Sequence, residues 1–145
     1  MTYEQLIRHI NIMGNGEIDF FLGAGASVGS GIPSGGDLIW YFKRKIYCDA
    51  NHITPDEYKD LYLPSTRKTF QQYFDAKGNY PELNSAFEYS YYFQECFPLA
   101  IARQRFIDSQ VSNKNPSLGY LCLADLIVKD RIKNIWTTNF DCLTE

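Results

Sequence analysis

The chain has 145 residues, enough for a domain with its own hydrophobic core. Hydrophobic residues make up 45% and charged residues 21%, a balance that excludes a disordered chain. A net charge of −3 with a pI near 5.4 excludes the overall basic field that draws proteins to nucleic acid, and no apolar run approaches a membrane span in length.

From the N-terminus, Thr2 to Met13 reads as a helix. Thr2 and Gln5 fit a capping box, and Leu6, Ile7, Ile10 and Met13 share one face. Gly14-Asn15-Gly16 stops it. Ile18 to Leu22 is short and apolar apart from Asp19, and runs into Gly23-Ala24-Gly25-Ala26-Ser27, the pattern of a buried parallel strand with a glycine-rich exit. Gly35 and Gly36 precede a helix from about Asp37 to Tyr47. Its Lys43, Arg44 and Lys45 read as a solvated helix end. Thr54-Pro55-Asp56-Glu57 predicts a further helix start. A helix over about Thr66 to Ala76 ends at Gly78. Ser85 to Val111 is helical in pattern, with a break or kink at Pro98.

Asn115-Pro116 is expected to cap the next helix, with Leu118, Leu121, Leu123, Leu126 and Ile127 inward. Ile132 to Thr138 is a second strand, ending in Thr137-Thr138-Asn139-Phe140-Asp141. The order is therefore helix, strand, long helical stretch, strand. Two strands are too few for a stable parallel sheet, so the chain reads as the front part of a larger α/β domain. Aromatic residues reach 16%, which fits either large ring-filled cores between helices or a partner surface.

Three motifs carry chemistry. A parallel strand delivers Gly23-Ala24-Gly25-Ala26-Ser27 to the carboxyl edge of its sheet, where open α/β folds bind ligands. Small side chains let backbone N–H groups approach a diphosphate, a following helix or turn would aim its dipole there, and Ser27 offers a hydroxyl to a phosphate oxygen. An ordinary glycine-rich turn is the plain alternative. A P-loop is excluded because no lysine follows, and a dehydrogenase fingerprint because Val28 stands where its third glycine belongs. Gly31-Ile32-Pro33 sets a stiff, extended course suited to a loop over a ligand, or a simple turn. In Thr137-Thr138-Asn139-Phe140-Asp141, Asn139 offers a donor and an acceptor to ribose hydroxyls or a water. Asp141 can accept from a hydroxyl or from backbone N–H groups. An Asx turn or cap is the alternative.

In order and spacing these three motifs resemble the sirtuin family, and the helix from Pro116 to Val128 resembles that family's approach to its asparagine motif. Residues 45–115 match nothing in it. The resemblance implies a Rossmann-like parallel sheet with a large helical insertion at about 45–130, incomplete at the C-terminus, so that 1–145 would be the N-terminal part of an NAD-binding domain. It implies that Gly23, Ala24, Gly25, Ala26 and Ser27 hold the diphosphate of NAD. Gly31, Ile32, Pro33, Thr137 and Thr138 would complete the NAD site, Asn139 would act at the nicotinamide ribose, and Asp141 would help bind the nicotinamide end. NAD would be the substrate, and no metal is implied.

The sequence also departs from the deacylase pattern. Gly31-Ile32-Pro33 is followed by Ser34-Gly35-Gly36-Asp37 rather than x-Phe-Arg, and Thr138 replaces a glutamine. Thr-Thr-Asn-aromatic-Asp looks like the bacterial sirtuin-like domains that hydrolyse NAD, many of them in anti-phage defence. The implied activity is release of nicotinamide and ADP-ribose. A non-catalytic NAD or ADP-ribose sensing or assembly module is the second reading, and a protein-lysine deacylase the third. The implied partners are a homo-oligomer or a fused or associated defence protein, with neither nucleic acid nor membrane.

The family also uses a histidine some tens of residues beyond the asparagine. A chain ending at Glu145 lacks that position, so the expectation is weak NAD binding and slow or no turnover. His9 lies beside the apolar stripe of the first helix and reads as structural, and His52 as a solvated loop residue. Cys48, Cys96, Cys122 and Cys142 form no Cys-x-x-Cys pair. Their spacing, with no signal peptide, predicts reduced thiols in a cytoplasmic protein.

Overall fold

The Thr2–Gln5 capping box forms as its spacing requires. The Thr2 hydroxyl accepts from the Gln5 N–H, and the Gln5 side chain accepts from the Thr2 N–H at 2.8 Å. It starts helix α1, Tyr3–Ile12, in a computed structural model that describes residues 1–144. Strand β1 follows at Ile18–Leu22, then a 3-10 helix at Ala24–Ser30 and helix α2 at Gly35–Asn51. Helices α3 (Pro64–Lys77), α4 (Glu88–Cys96), α5 (Ala100–Val111) and α6 (Leu118–Val128) lead to strand β2, Ile132–Thr137. The fold is mixed α/β, and among the described residues its sheet has two parallel strands. The chain divides into two units, Met1–Ile32 with the segment from Val111 onward, and Pro33–Gln110.

In the first unit β1 and β2 pair Ile18 with Ile132, Asp19 with Asn134 and Leu22 with Thr137. Lys133 is an extra residue at the register shift between the first two pairs. Tyr120, Leu123 and Ile132 form the buried core here, with Phe20, Leu22, Leu126 and Ile135 packed on it. The neighbours Phe21 and Trp136 remain exposed. Arg131 donates to the carbonyls of Ile10 and Met13 and so ties α1 to the turn before β2.

Helix α6 differs from expectation in its start and its facing. Ser117, not Asn115-Pro116, is its N-cap, and the Ser117 N–H donates to the Ser30 hydroxyl at 2.9 Å. Leu123 and Leu126 face inward, but Leu118 (76%), Leu121 (58%) and Ile127 (48%) are exposed. The helix is apolar all round, so periodicity could not choose its buried side. Contact with one core selects a single stripe, which includes Tyr120.

The second unit buries its rings among themselves. Leu38 and Phe42 of α2, Phe70 and Phe74 of α3 and Tyr92 of α4 form its core. Phe42 stacks on Phe93 with centroids 5.1 Å apart, and Phe74 meets Tyr92 edge-on at 5.1 Å. Most of the chain's aromatic excess is therefore core.

Helix α2 begins earlier than expected because Ser34 and Asp37 form a second capping box, which places Gly35 and Gly36 inside the first turn. Lys43 is not solvated. It is fully buried on the stripe of Leu38 and Phe42, where Glu88 and the Gln71 carbonyl accept from its ammonium beside the Trp40 and Tyr92 rings. Thr54-Pro55-Asp56-Glu57 starts no more than a short 3-10 helix, Pro55–Tyr58, in which Thr54 makes no side-chain cap bond. His52 is exposed, as expected, and ends α2 as its left-handed C-cap (φ 56°). The break at Pro98 separates α4 from α5, and Arg103 caps the carbonyls of Phe97 and Pro98 at 2.8 Å each.

Candidate functional site

Parallel pairing brings the ends of β1 and β2 to the same sheet edge, side by side. The Thr138 N–H donates to the Leu22 carbonyl at 3.2 Å, one residue before Gly23. Both chemistry-bearing loops of the first unit therefore leave from neighbouring points.

The loops meet at Ser27, whose side chain is fully buried. Its hydroxyl lies 2.7 Å from Asp141 Oδ2, 2.9 Å from Asn139 Nδ2 and 2.8 Å from the Tyr120 phenol. A hydroxyl has one proton and two lone pairs. A carboxylate accepts and an amide nitrogen donates, so Ser27 donates to Asp141 and accepts from Asn139. The remaining lone pair takes the Tyr120 proton. Every valence of Ser27 is thus used within the protein. Ser27 fastens the glycine-rich loop to the asparagine motif.

Asp141 is also held inside the protein. Its Oδ1 accepts from the Leu143 N–H at 3.2 Å, while Oδ2 accepts from Ser27. Asn139 is fixed by its backbone N–H, which donates to the Thr137 hydroxyl at 3.0 Å, and by its amide nitrogen on Ser27. Its Oδ1 is buried without a partner. A buried acceptor left empty costs about 1–3 kcal/mol, which a donor from a ligand would recover.

The glycine loop has the matching opening. A Cβ built on Gly23 or Gly25 meets nothing within 4 Å, and neither residue has a positive φ. Neither packing nor backbone conformation explains these glycines. The N–H groups of Ala24 and Gly25 precede the first bond of the 3-10 helix, from the Ala26 N–H to the Gly23 carbonyl, and have no helical acceptor. The helix has seven residues, so the dipole expected of it is small. Gly29 and Gly31 are glycines for other reasons. A Cβ on Gly29 would press on the Ser117 side chain at 3.2 Å, and Gly31 is left-handed with φ 78°.

Beside the hub, an apolar cavity of about 210 Å³ is lined by Phe20, Leu22, Ala26, Gly119, Tyr120 and Leu123. Of the expected site residues, the structure gathers Ser27, Asn139 and Asp141 directly, with Thr137 and Thr138 next to them in the chain, Ala24 and Gly25 exposed, and Gly23 and Ala26 half-buried. The backbone N–H groups of Gly31 and Ile32 both donate to the Ser27 carbonyl. Gly31 and Ile32 close the 3-10 turn of the first unit, and Pro33 opens the second.

Tyr120 was not singled out from the sequence. The signal was a tyrosine within an aliphatic helix, because a buried phenol needs a polar partner. Neither histidine belongs to this cluster. His9 is exposed on α1 with Nδ1 against the Gln5 carbonyl, and His52 lies in the second unit.

Among the described residues no group of three or more His, Cys, Asp or Glu is placed to hold a metal ion, and no helix is long and apolar enough to cross a membrane. No protein-family model matches the chain, and no curated protein matches it.

Proposed function

We propose that the first unit binds NAD and cleaves its nicotinamide–ribose bond, and that its two strands belong to a Rossmann-like sheet. One observation carries the reading: the empty, buried Oδ1 of Asn139, held at the strand edge shared with the glycine loop. A ribose hydroxyl is a donor of the right kind for that oxygen. The space over Gly23 and Gly25 lets a diphosphate approach the Ala24 and Gly25 N–H groups. An apolar cavity with one polar cluster at its border suits a ligand that is part ring and part sugar.

On this reading Asn139 fixes the ribose, and its carbonyl dipole faces positive charge growing on the sugar as the bond breaks. The bonding pair leaves with nicotinamide. A water oxygen bonds to the ribose carbon and its proton passes to solvent, giving nicotinamide and ADP-ribose. Ser27 and Asp141 hold Asn139 and make no contact with the reacting bond. The setting of anti-phage defence follows from the resemblance to NAD-hydrolysing sirtuin-like domains.

A second reading is a module that holds NAD or ADP-ribose without cleaving it. It is favoured by the internal bonds of Asp141, which make that carboxylate a fixed acceptor. The test is full-length protein with NAD, wild type against Asn139→Ala, following both binding and nicotinamide release. Release that Asn139→Ala lowers by about a hundredfold or more supports cleavage. Asn139-dependent binding without release supports the holding module. Absence of both, or equal behaviour of the two proteins, rules out an NAD role for Asn139.

A further inference from the structure

We propose that Tyr120 is a positioning residue of this site, setting which atom of the Asn139 amide faces the ligand. The inference rests on the reading of Asn139 as the ligand-binding residue. Its physical basis is the proton inventory of Ser27. With Tyr120 donating into one lone pair and Asn139 Nδ2 into the other, the single Ser27 proton goes to Asp141. Oδ1 is then the amide atom left for a ligand.

A reversed amide would turn Oδ1 toward Ser27, where it would compete with Asp141 for that one proton. The second lone pair of Ser27 would stay empty inside the protein. Both consequences are unfavourable while the hydroxyl is held at three points. Without the phenol it is held at two, and its proton can swing from Asp141 to a reversed Asn139. The Tyr120 ring is 7% exposed and packed with Leu123 and Ile132, so the phenol oxygen is itself held in place. Tyr120→Phe removes the donor and keeps that packing.

The site therefore selects a ligand group that donates a hydrogen bond at Asn139, and the selection is set from α6. In Tyr120→Phe that preference weakens. Turnover of NAD by full-length protein, as kcat/KM, falls about tenfold, the size expected for one lost buried hydrogen bond.

The deciding measurement is NMR of full-length protein labelled with 15N-asparagine, reading the Asn139 side-chain amide pair without ligand. Tyr120→Phe is expected to shift that pair and to speed its exchange with solvent about tenfold. Leu123→Ala loosens α6 against the same core and is expected to leave the pair in place. An unmoved pair in Tyr120→Phe, or an equal change in Leu123→Ala, overturns the proposal. If wild type neither binds nor cleaves NAD while the amide pair responds as expected, the NAD reading fails and the positioning role of Tyr120 stands.

Discussion

Asn139 and Ser27 stand 112 positions apart in the chain, and the amide nitrogen of one donates to the hydroxyl of the other across 2.9 Å. The bond joins the exits of two parallel strands. It also makes the serine the fastening between two loops.

Removing that fastening should be costly. Ser27→Ala leaves the Tyr120 phenol, the Asn139 amide nitrogen and Asp141 Oδ2 without their shared partner. A loss of about 3 kcal/mol is expected in urea unfolding. A change within about 0.5 kcal/mol would mean that the three groups find water or other partners easily.

The buried ion pair of the second unit makes a separate prediction. Lys43 and Glu88 are both buried, and Glu88 also accepts from the Asn84 N–H at 2.8 Å. Lys43→Met strands a carboxylate among rings and should cost about 3–5 kcal/mol. The double variant Lys43→Met, Glu88→Leu should recover much of that loss, because apolar replacements need no partner. A double variant as unstable as the single one would argue that the pair holds the fold by geometry rather than by charge.

Acid should weaken the start of α2. The Ser34 hydroxyl bond holds the Asp37 carboxyl below its ordinary value of 3.8, with burial working against it. The folded state therefore binds this proton less readily than the unfolded chain does. The stabilisation is fully present above pH 3.8 and is lost as pH falls through the lower folded value. Ser34→Ala should cost about 1 kcal/mol at pH 7 from the lost cap. Its deficit against wild type should shrink as pH drops below that range. A deficit that stays constant from pH 7 to pH 2 would remove Asp37 from the account.

Local chemistry was legible wherever one residue decides it. The Thr2–Gln5 box, strand Ile18–Leu22, the stop at Gly78 and the break at Pro98 all follow from short-range rules, and the structure has them. Facing was illegible on α6, where almost every position is apolar, and on α1, where Leu6, Ile7 and Met13 share a face yet remain exposed. The meeting of Ser27, Asn139 and Asp141 was foreseeable only as two strand ends side by side. Its third corner was hidden because nothing local marks Tyr120 as polar in use. Lys43 was misread for the opposite reason. Two charged neighbours, Arg44 and Lys45, suggested a solvated run, while its actual partner Glu88 lies 45 positions away.

Lys133 gives the sheet some slack. Pairing resumes at Asp19 and Asn134 after the surplus residue, and continues in step to Leu22 and Thr137. The placing of Asn139 is thus measured from Asn134 onward rather than from the end of α6. The surplus residue at Lys133 is where the two pairings are reconciled, between Ile132 held in the core with Arg131 on α1 and the in-step run from Asn134 that carries the amide.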